Sequence, residues 1–208
     1  MKKVFVLVVL FILPVVAYLF FASGVNNFGK LPILTENIKD VSSLNTEVTF
    51  ANKISILGFL GSNVEVKKGA AFNLNQKIYK QFFEFKDFQF VMMVPVGAED
   101  KVEELKKELG GLVNIDKWNF VFADTSEIKN VFNSLQTNIK LDANYSTPYV
   151  FIVDKDLSLR GRTSDEDEGT KYGFNANSVA ELNNKMEDDV KIILAEYRMA
   201  LKKNAANR

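Results

Sequence analysis

The stretch from Lys53 to Ala71 constrains the chain more than any other. Ile54 to Leu60 is a short apolar run, β-branched at its start and bounded by glycine, the pattern of a strand buried on both faces. A polar loop follows. Ala70, Leu74, Ile78 and Phe82 then recur at every fourth position, which marks one face of a helix. A buried strand that passes through a loop into a helix N-terminus is where many α/β folds keep their chemistry, because the helix end presents free N–H donors and a positive dipole. Here that loop holds Gly61, Ser62, Asn63, Glu65, Lys67 and Lys68, with neither cysteine nor histidine.

The two absences hold for all 208 residues. Without cysteine there is no disulfide, thiol exchange, iron–sulfur cluster or thiolate-bound metal, and no lipid attachment through an N-terminal Cys. Without histidine the commonest general base and nitrogen ligand are missing. Catalysis would have to run on carboxylates, lysine, tyrosine or serine, and neither a metal nor another cofactor is expected. Lys+Arg and Asp+Glu are 26 each, so no basic field points to nucleic acid. The 18 phenylalanines supply volume for a sizeable core.

Met1-Lys2-Lys3 precedes an uncharged run, Val4 to Ala22, long enough to cross a hydrocarbon core of about 30 Å as a helix. The two lysines keep the N-terminus in the cytoplasm, which predicts an inner-membrane protein whose body lies in the periplasm. A cleaved signal peptide ending near Ala22-Ser23-Gly24 is the competing reading. The run exceeds the usual apolar length of about 7–15 residues for such a peptide, so an uncleaved anchor is preferred. The chain then divides into an anchor at 1–24, a tether at 25–47 and a domain at 48–208. Within the tether, Leu31-Pro32-Ile33-Leu34 suits an edge segment.

Val48-Thr49-Phe50 predicts a short strand ahead of Lys53, Phe88 to Val94 a second buried strand, and Trp118 to Phe122 a third. Between the last two, Val102, Leu105 and Leu109 stripe a helix that Gly110-Gly111 ends. Asp124 and Glu127 predict a capping box for a short helix with Ile128, Val131, Phe132 and Leu135 inward. Tyr149 to Val153, the turn Asp154-Lys155-Asp156 and Leu157 to Arg160 read as a hairpin. After an acidic loop, Thr163 to Thr170, Ser178 and Glu181 cap a final helix of about 39 Å, with Val179, Leu182, Met186, Val190, Ile193, Tyr197 and Leu201 spaced along it by three and four. This alternation implies an α/β domain with a largely parallel sheet, helices on both faces and the antiparallel hairpin at one side.

The anchor, the strand–loop–helix opening and the Thr147-Pro148-Tyr149-Val150-Phe151-Ile152-Val153-Asp154 hairpin together resemble a thioredoxin-like fold. Phe28-Gly29-Lys30-Leu31-Pro32, the approach Asn144-Tyr145-Ser146 and the long last helix narrow the likeness to the Sco/SenC branch. Those are membrane-anchored proteins that help build the copper centre of cytochrome oxidase, and this chain resembles the Bacteroidetes type that accompanies true Sco proteins. The resemblance implies a thioredoxin-like mixed sheet flanked by helices, and a copper loop of the form Cys-x-x-x-Cys at Gly61–Lys67 with a ligand histidine near Tyr145. All of those ligands are absent here, and copper(I) needs soft thiolate or imidazole donors. The expectation is a non-catalytic binding or assembly factor whose partners are a Sco protein or cytochrome oxidase subunits.

Gly61, Ser62 and Asn63 with Thr147 and Pro148 form the candidate partner-binding site. In the resembled fold this loop faces a cis-proline, and the two offer backbone groups to an extended peptide. Two enzyme readings stand beside it: a Ser62 nucleophile with Lys67 or Lys68, and a divalent ion held by Asp165, Glu166, Asp167 and Glu168, although that run lacks EF-hand ligand spacing. A third reading is a structural subunit of a membrane complex, docked through the last helix. The aromatic run Tyr79, Phe82, Phe83, Phe85, Phe88 and Phe90 reads as core.

Overall fold

The computed structural model describes residues 10–16 and 29–206, with side chains as far as position 200. Nine strands are described: β1 (Ile33–Thr35), β2 (Ile54–Phe59), β3 (Phe88–Pro95), β4 (Trp118–Ala123), β5 (Tyr149–Val153), β6 (Leu159–Arg160), β7 (Arg162–Asp165), β8 (Gly169–Lys171) and β9 (Phe174–Asn175). All but β7 and β8 join one sheet in the order β1-β6-β5-β2-β3-β4, with β9 against β5. Strands β2, β3 and β4 run parallel, while β5, β6 and β1 continue the sheet antiparallel. The expected hairpin therefore sits beside the parallel strands, and Ile33–Thr35 forms the edge.

Every residue of β2 and β3 is buried, because both faces of the sheet are covered. Alternate side chains serve separate cores. Ile54, Ile56, Phe90 and Met92 pack with Leu74, Ile78, Leu105 and Ile193. Leu57, Phe59, Val91 and Met93 pack with Ile128, Val131 and Phe132 and with Ile38, Val41 and Phe50. Helix α1 runs from Val64–Leu74 through a π-helical turn, Asn75–Tyr79, to Lys80–Phe82. Helix α2 is Glu99–Gly110 and α3 is Thr125–Ser134. Helix α4 begins at Val179–Glu181, passes a second π turn at Leu182–Met186 and continues as Glu187–Ala206. The two π turns pack against each other.

Several expectations are corrected. Val48-Thr49-Phe50 is not a strand. The carboxylate of Asp40 accepts from Phe50 N at 2.7 Å and from the Thr49 hydroxyl at 2.7 Å, and Gln89 donates to Thr49 O at 2.8 Å, so side chains take the backbone groups a ladder would use. The stretch assigned to the tether is packed onto the sheet from Leu31 onward, with Ile38 and Val41 in the core. Asp124 occupies the N-cap of α3 without a side-chain cap bond, and Glu127 turns instead to Lys39 at 2.7 Å. Val179 points outward, 43% exposed.

Of the run over 4–22, only 10–16 are described, and they are helical. The rest of the expected anchor lies outside the described residues, and among those described no helix is long and apolar enough to cross a membrane.

Candidate functional site

Strand β2 leaves the sheet at Leu60, which bridges Ser146. Gly61 follows with φ +69°, and a Cβ there would collide with Asn144 O, so glycine is required both by the left-handed backbone and by the close approach. The next amide, Ser62 N, donates to Asn144 O at 3.0 Å. The side chains of Ser62 and Asn63 then face solvent, while Val64 is buried at the start of α1. Helix α1 thus begins earlier than its apolar periodicity suggests, and Glu65, Lys67 and Lys68 lie on its first turns instead of in a loop. Asn63 holds the N-cap position without a capping hydrogen bond.

The facing loop is organised by Asp142, which the sequence reading passed over. Its carboxylate accepts from Asn144 N and Ser146 N at 2.9 Å each and from the Ser146 hydroxyl at 2.7 Å. Partial burial is the largest single influence on Asp142 and pushes it up, but these bonds outweigh it and hold the carboxyl below its usual range. Tyr145, at the position the resemblance gives to a histidine, has φ +60° and carries the Lys129 ammonium 5.1 Å from its ring centre. An Asp-x-Asn-x-Ser run is a turn signal that could have revealed this loop.

The loop of Gly61, Ser62 and Asn63 meets Asn144 and Ser146, just ahead of Thr147 and Pro148, and the joint is interlocked backbone. Thr147 is buried, its N–H donates to Phe59 O at 3.2 Å, and Pro148 O accepts from Ala176 N at 2.8 Å. There is no cis peptide bond among the described residues, so the Thr147–Pro148 bond is trans, and two of the backbone groups expected to face a peptide are already engaged. Beneath lies a crevice of about 20 Å³ between Leu60, Lys67, Ala71, Pro148 and Ala176, room for roughly one water. What remains accessible is the outer rim, Ser62 and Asn63, with half-buried Pro148.

Lys68, one of the two lysines offered as a base for Ser62, is engaged elsewhere. Lys68 binds Glu108 at 2.8 Å and Glu65 at 3.0 Å. Those bonds, the one to Glu108 foremost, push its pKa up to about 12, so it is a charged ion-pair partner and not a base for Ser62. The acidic loop is the β7–β8 hairpin, and its Asp165, Asp167 and Glu168 are matched by cations. Lys185 binds Asp165 at 2.7 Å and Asp167 at 2.6 Å, and Lys171 binds Glu168 at 2.8 Å and Glu181 at 2.7 Å. Among the described residues no group of three or more His, Cys, Asp or Glu side chains is arranged to hold a metal. These pairs belong to a charged seam beneath α4. Arg162 binds Asp189 at 2.9 Å, and Arg160 joins Asp154 at 2.8 Å, Glu196 at 2.6 Å and the carbonyl of Leu31.

No family model matches the sequence, and no curated protein matches it. Solved structures do. BsSco, a member of the Sco family of cytochrome c oxidase assembly proteins, is similar with a TM-score of 0.52 at 15% identity, over 77% of this chain and 95% of that one. The fold is thioredoxin-like. A thiol:disulfide interchange protein of the thioredoxin family from Chlorobium tepidum is similar at 16% identity over 80% and 99% of the two chains, with a TM-score of 0.45. Copper-bound ScoI from Arabidopsis thaliana is similar at 16% identity over 69% and 89%, with a TM-score of 0.44. In this thioredoxin-like chain, the position after the first core strand carries Gly61, Ser62 and Asn63 and no sulfur.

Proposed function

We propose that this is a non-catalytic, membrane-anchored thioredoxin-like protein that acts as a binding or assembly factor linked to cytochrome oxidase biogenesis. In this reading residues 1–24 anchor it in the inner membrane, the N-terminus is cytoplasmic and the folded body lies in the periplasm. The observation that carries the proposal is the loop between β2 and α1, which is close-packed against Asn144 and Ser146 just ahead of Thr147 and Pro148 while the sequence contains no cysteine or histidine. Exposed loops on a rigid frame are where binding concentrates, and a loop without a nucleophile can contact a partner but not exchange thiols with it. The link to the oxidase draws on the Sco-like sequence pattern and on the fold shared with BsSco.

The test is affinity purification of the tagged full chain from its native membrane. Oxidase subunits or a Sco protein should accompany it, and Ser62→Arg with Asn63→Arg should reduce their recovery while leaving the fold intact. Recovery of neither class, or recovery unaffected by both substitutions, removes this reading. Stoichiometric copper uptake by the purified chain would remove it as well.

A further inference from the structure

We propose that the protein carries a second binding site, at the opposite end of the sheet from the Gly61 loop, for a small amphiphilic anion: a phosphate or carboxylate head on a single ring or short alkyl body. A pit of about 210 Å³ opens there between the turn that precedes β3, the β5–β6 turn and α4. A cavity of about 150 Å³ suffices for benzene, so one ring fits with room for a charged substituent at the mouth.

The walls divide by chemistry. Phe85, Leu194 and Tyr197 line the pit with apolar surface, and Lys86, Lys155 and Arg198 line it with charge. Phe85 is 42% exposed although Phe82 and Phe88 on either side of it are buried, so its ring meets that of Phe82 at 6.4 Å and leaves the rest of its surface to the pit. The Tyr197 hydroxyl donates to Asp156 at 3.1 Å, which holds the ring in place, and the Lys155 ammonium stands 5.4 Å from its centre. The carboxylate that lines the pit, Asp87, is already bound by Lys155.

Asp156 adds a second carboxylate beside Tyr197, and the cations at the pit, Lys86, Lys155 and Arg198, still outnumber the two. Lys155, Lys53 and Lys86 all face Asp87, and its carboxyl is held below its ordinary range, first by the hydrogen bond from Lys155. Lys117 reaches the Phe85 carbonyl at 2.6 Å, and burial, followed by the Lys53 charge, lowers its pKa. Lys86 and Arg198 form no ion pair among the described residues. An apolar floor under uncompensated cations selects a ligand with both an apolar body and a negative head, since each part supplies what the other lacks. The proposal is independent of the reading of the Gly61 loop, because no residue of the pit contributes to that loop.

Binding is tested with the full chain in nanodiscs of neutral phosphatidylcholine, titrated with phenyl phosphate by calorimetry. Inorganic phosphate and benzyl alcohol serve as the two half-ligands. Phenyl phosphate should bind at least about ten-fold more tightly than either half. Lys86→Glu and Arg198→Glu, both at exposed positions, should each weaken it about ten-fold, and Phe85→Ser should weaken phenyl phosphate but not inorganic phosphate. Unchanged Trp118 fluorescence in the variants establishes that they fold. Repeating the titration in phosphatidylglycerol nanodiscs identifies the natural source: loss of phenyl phosphate binding there points to a lipid headgroup, and retention to a soluble anion. Absence of phenyl phosphate binding, equal affinity for inorganic phosphate, or indifference to both charge reversals overturns the proposal.

Discussion

At the loop between β2 and α1, Ser62 N meets Asn144 O backbone to backbone, and the side chains of Ser62 and Asn63 stand in solvent. Beneath α4, Arg160, Lys171 and Asp189 are 3%, 1% and 2% exposed, and each reaches an opposite charge. A loop held by main chain and one glycine tolerates any small polar side chain at its rim, so reactive residues can be absent there without loss of structure. A buried ion network cannot be edited in that way, because removing one partner leaves the other charged and desolvated. The contrast explains how a thioredoxin-like frame persists in a chain with no residue for thioredoxin-like chemistry.

Arg160→Ala is the strongest challenge to this contrast. It strands the Asp154 and Glu196 carboxylates and the Leu31 carbonyl together. A loss of about 3–5 kcal/mol is expected, read by denaturant unfolding of the full chain through Trp118, its single tryptophan, which is buried. A loss no greater than that of a rim substitution would erase the distinction. Gly61→Ala comes next. Its φ of +69° and the approach of Asn144 O predict about 1–3 kcal/mol in the same assay, with weaker partner recovery because the loop must shift.

Asp142→Ala should cost about 1 kcal/mol through its lost hydrogen bonds. The accompanying pH effect has a definite sign. Burial raises the Asp142 carboxyl, but the Ser146 and Asn144 bonds prevail and its folded pKa lies below the ordinary value of 3.8. Its contribution is therefore present above that value and fades as pH falls through the lower folded one. Acid unfolding of the wild type below about pH 4 should accordingly be steeper than that of the variant. Ser62→Ala and Asn63→Ala should change unfolding by less than about 0.5 kcal/mol, which would confirm that the rim is structurally idle.

Much of the fold was legible in one dimension. The apolar runs at Ile54 and Phe88 are strands, the fourfold spacing from Ala70 to Phe82 is a buried helix face, and the hairpin after Thr147 lies where its turn placed it. These signals are local and periodic, and two-sided burial leaves a continuous apolar run. Of the candidate site, the place of the loop between β2 and α1 was legible. Its organiser Asp142 and its trans proline were not, since one acts through bonds within an unpatterned loop and the other is settled by the surrounding packing.

The sequence alone determined the order of strands and helices from Ile54 to Arg160, because hydrophobic period depends on nearby residues, and it removed thiol and imidazole chemistry, because composition admits no exception. Only the tertiary structure decided where charge is buried. It joined the acidic run at Asp165 to Lys185 and Lys171 in ion pairs, drew Leu31 to Val41 onto the sheet, and gathered Lys86, Lys155 and Arg198 around one pit. Lys185 lies 20 residues from Asp165, and the low dielectric that makes such pairs matter exists only once the cores have closed.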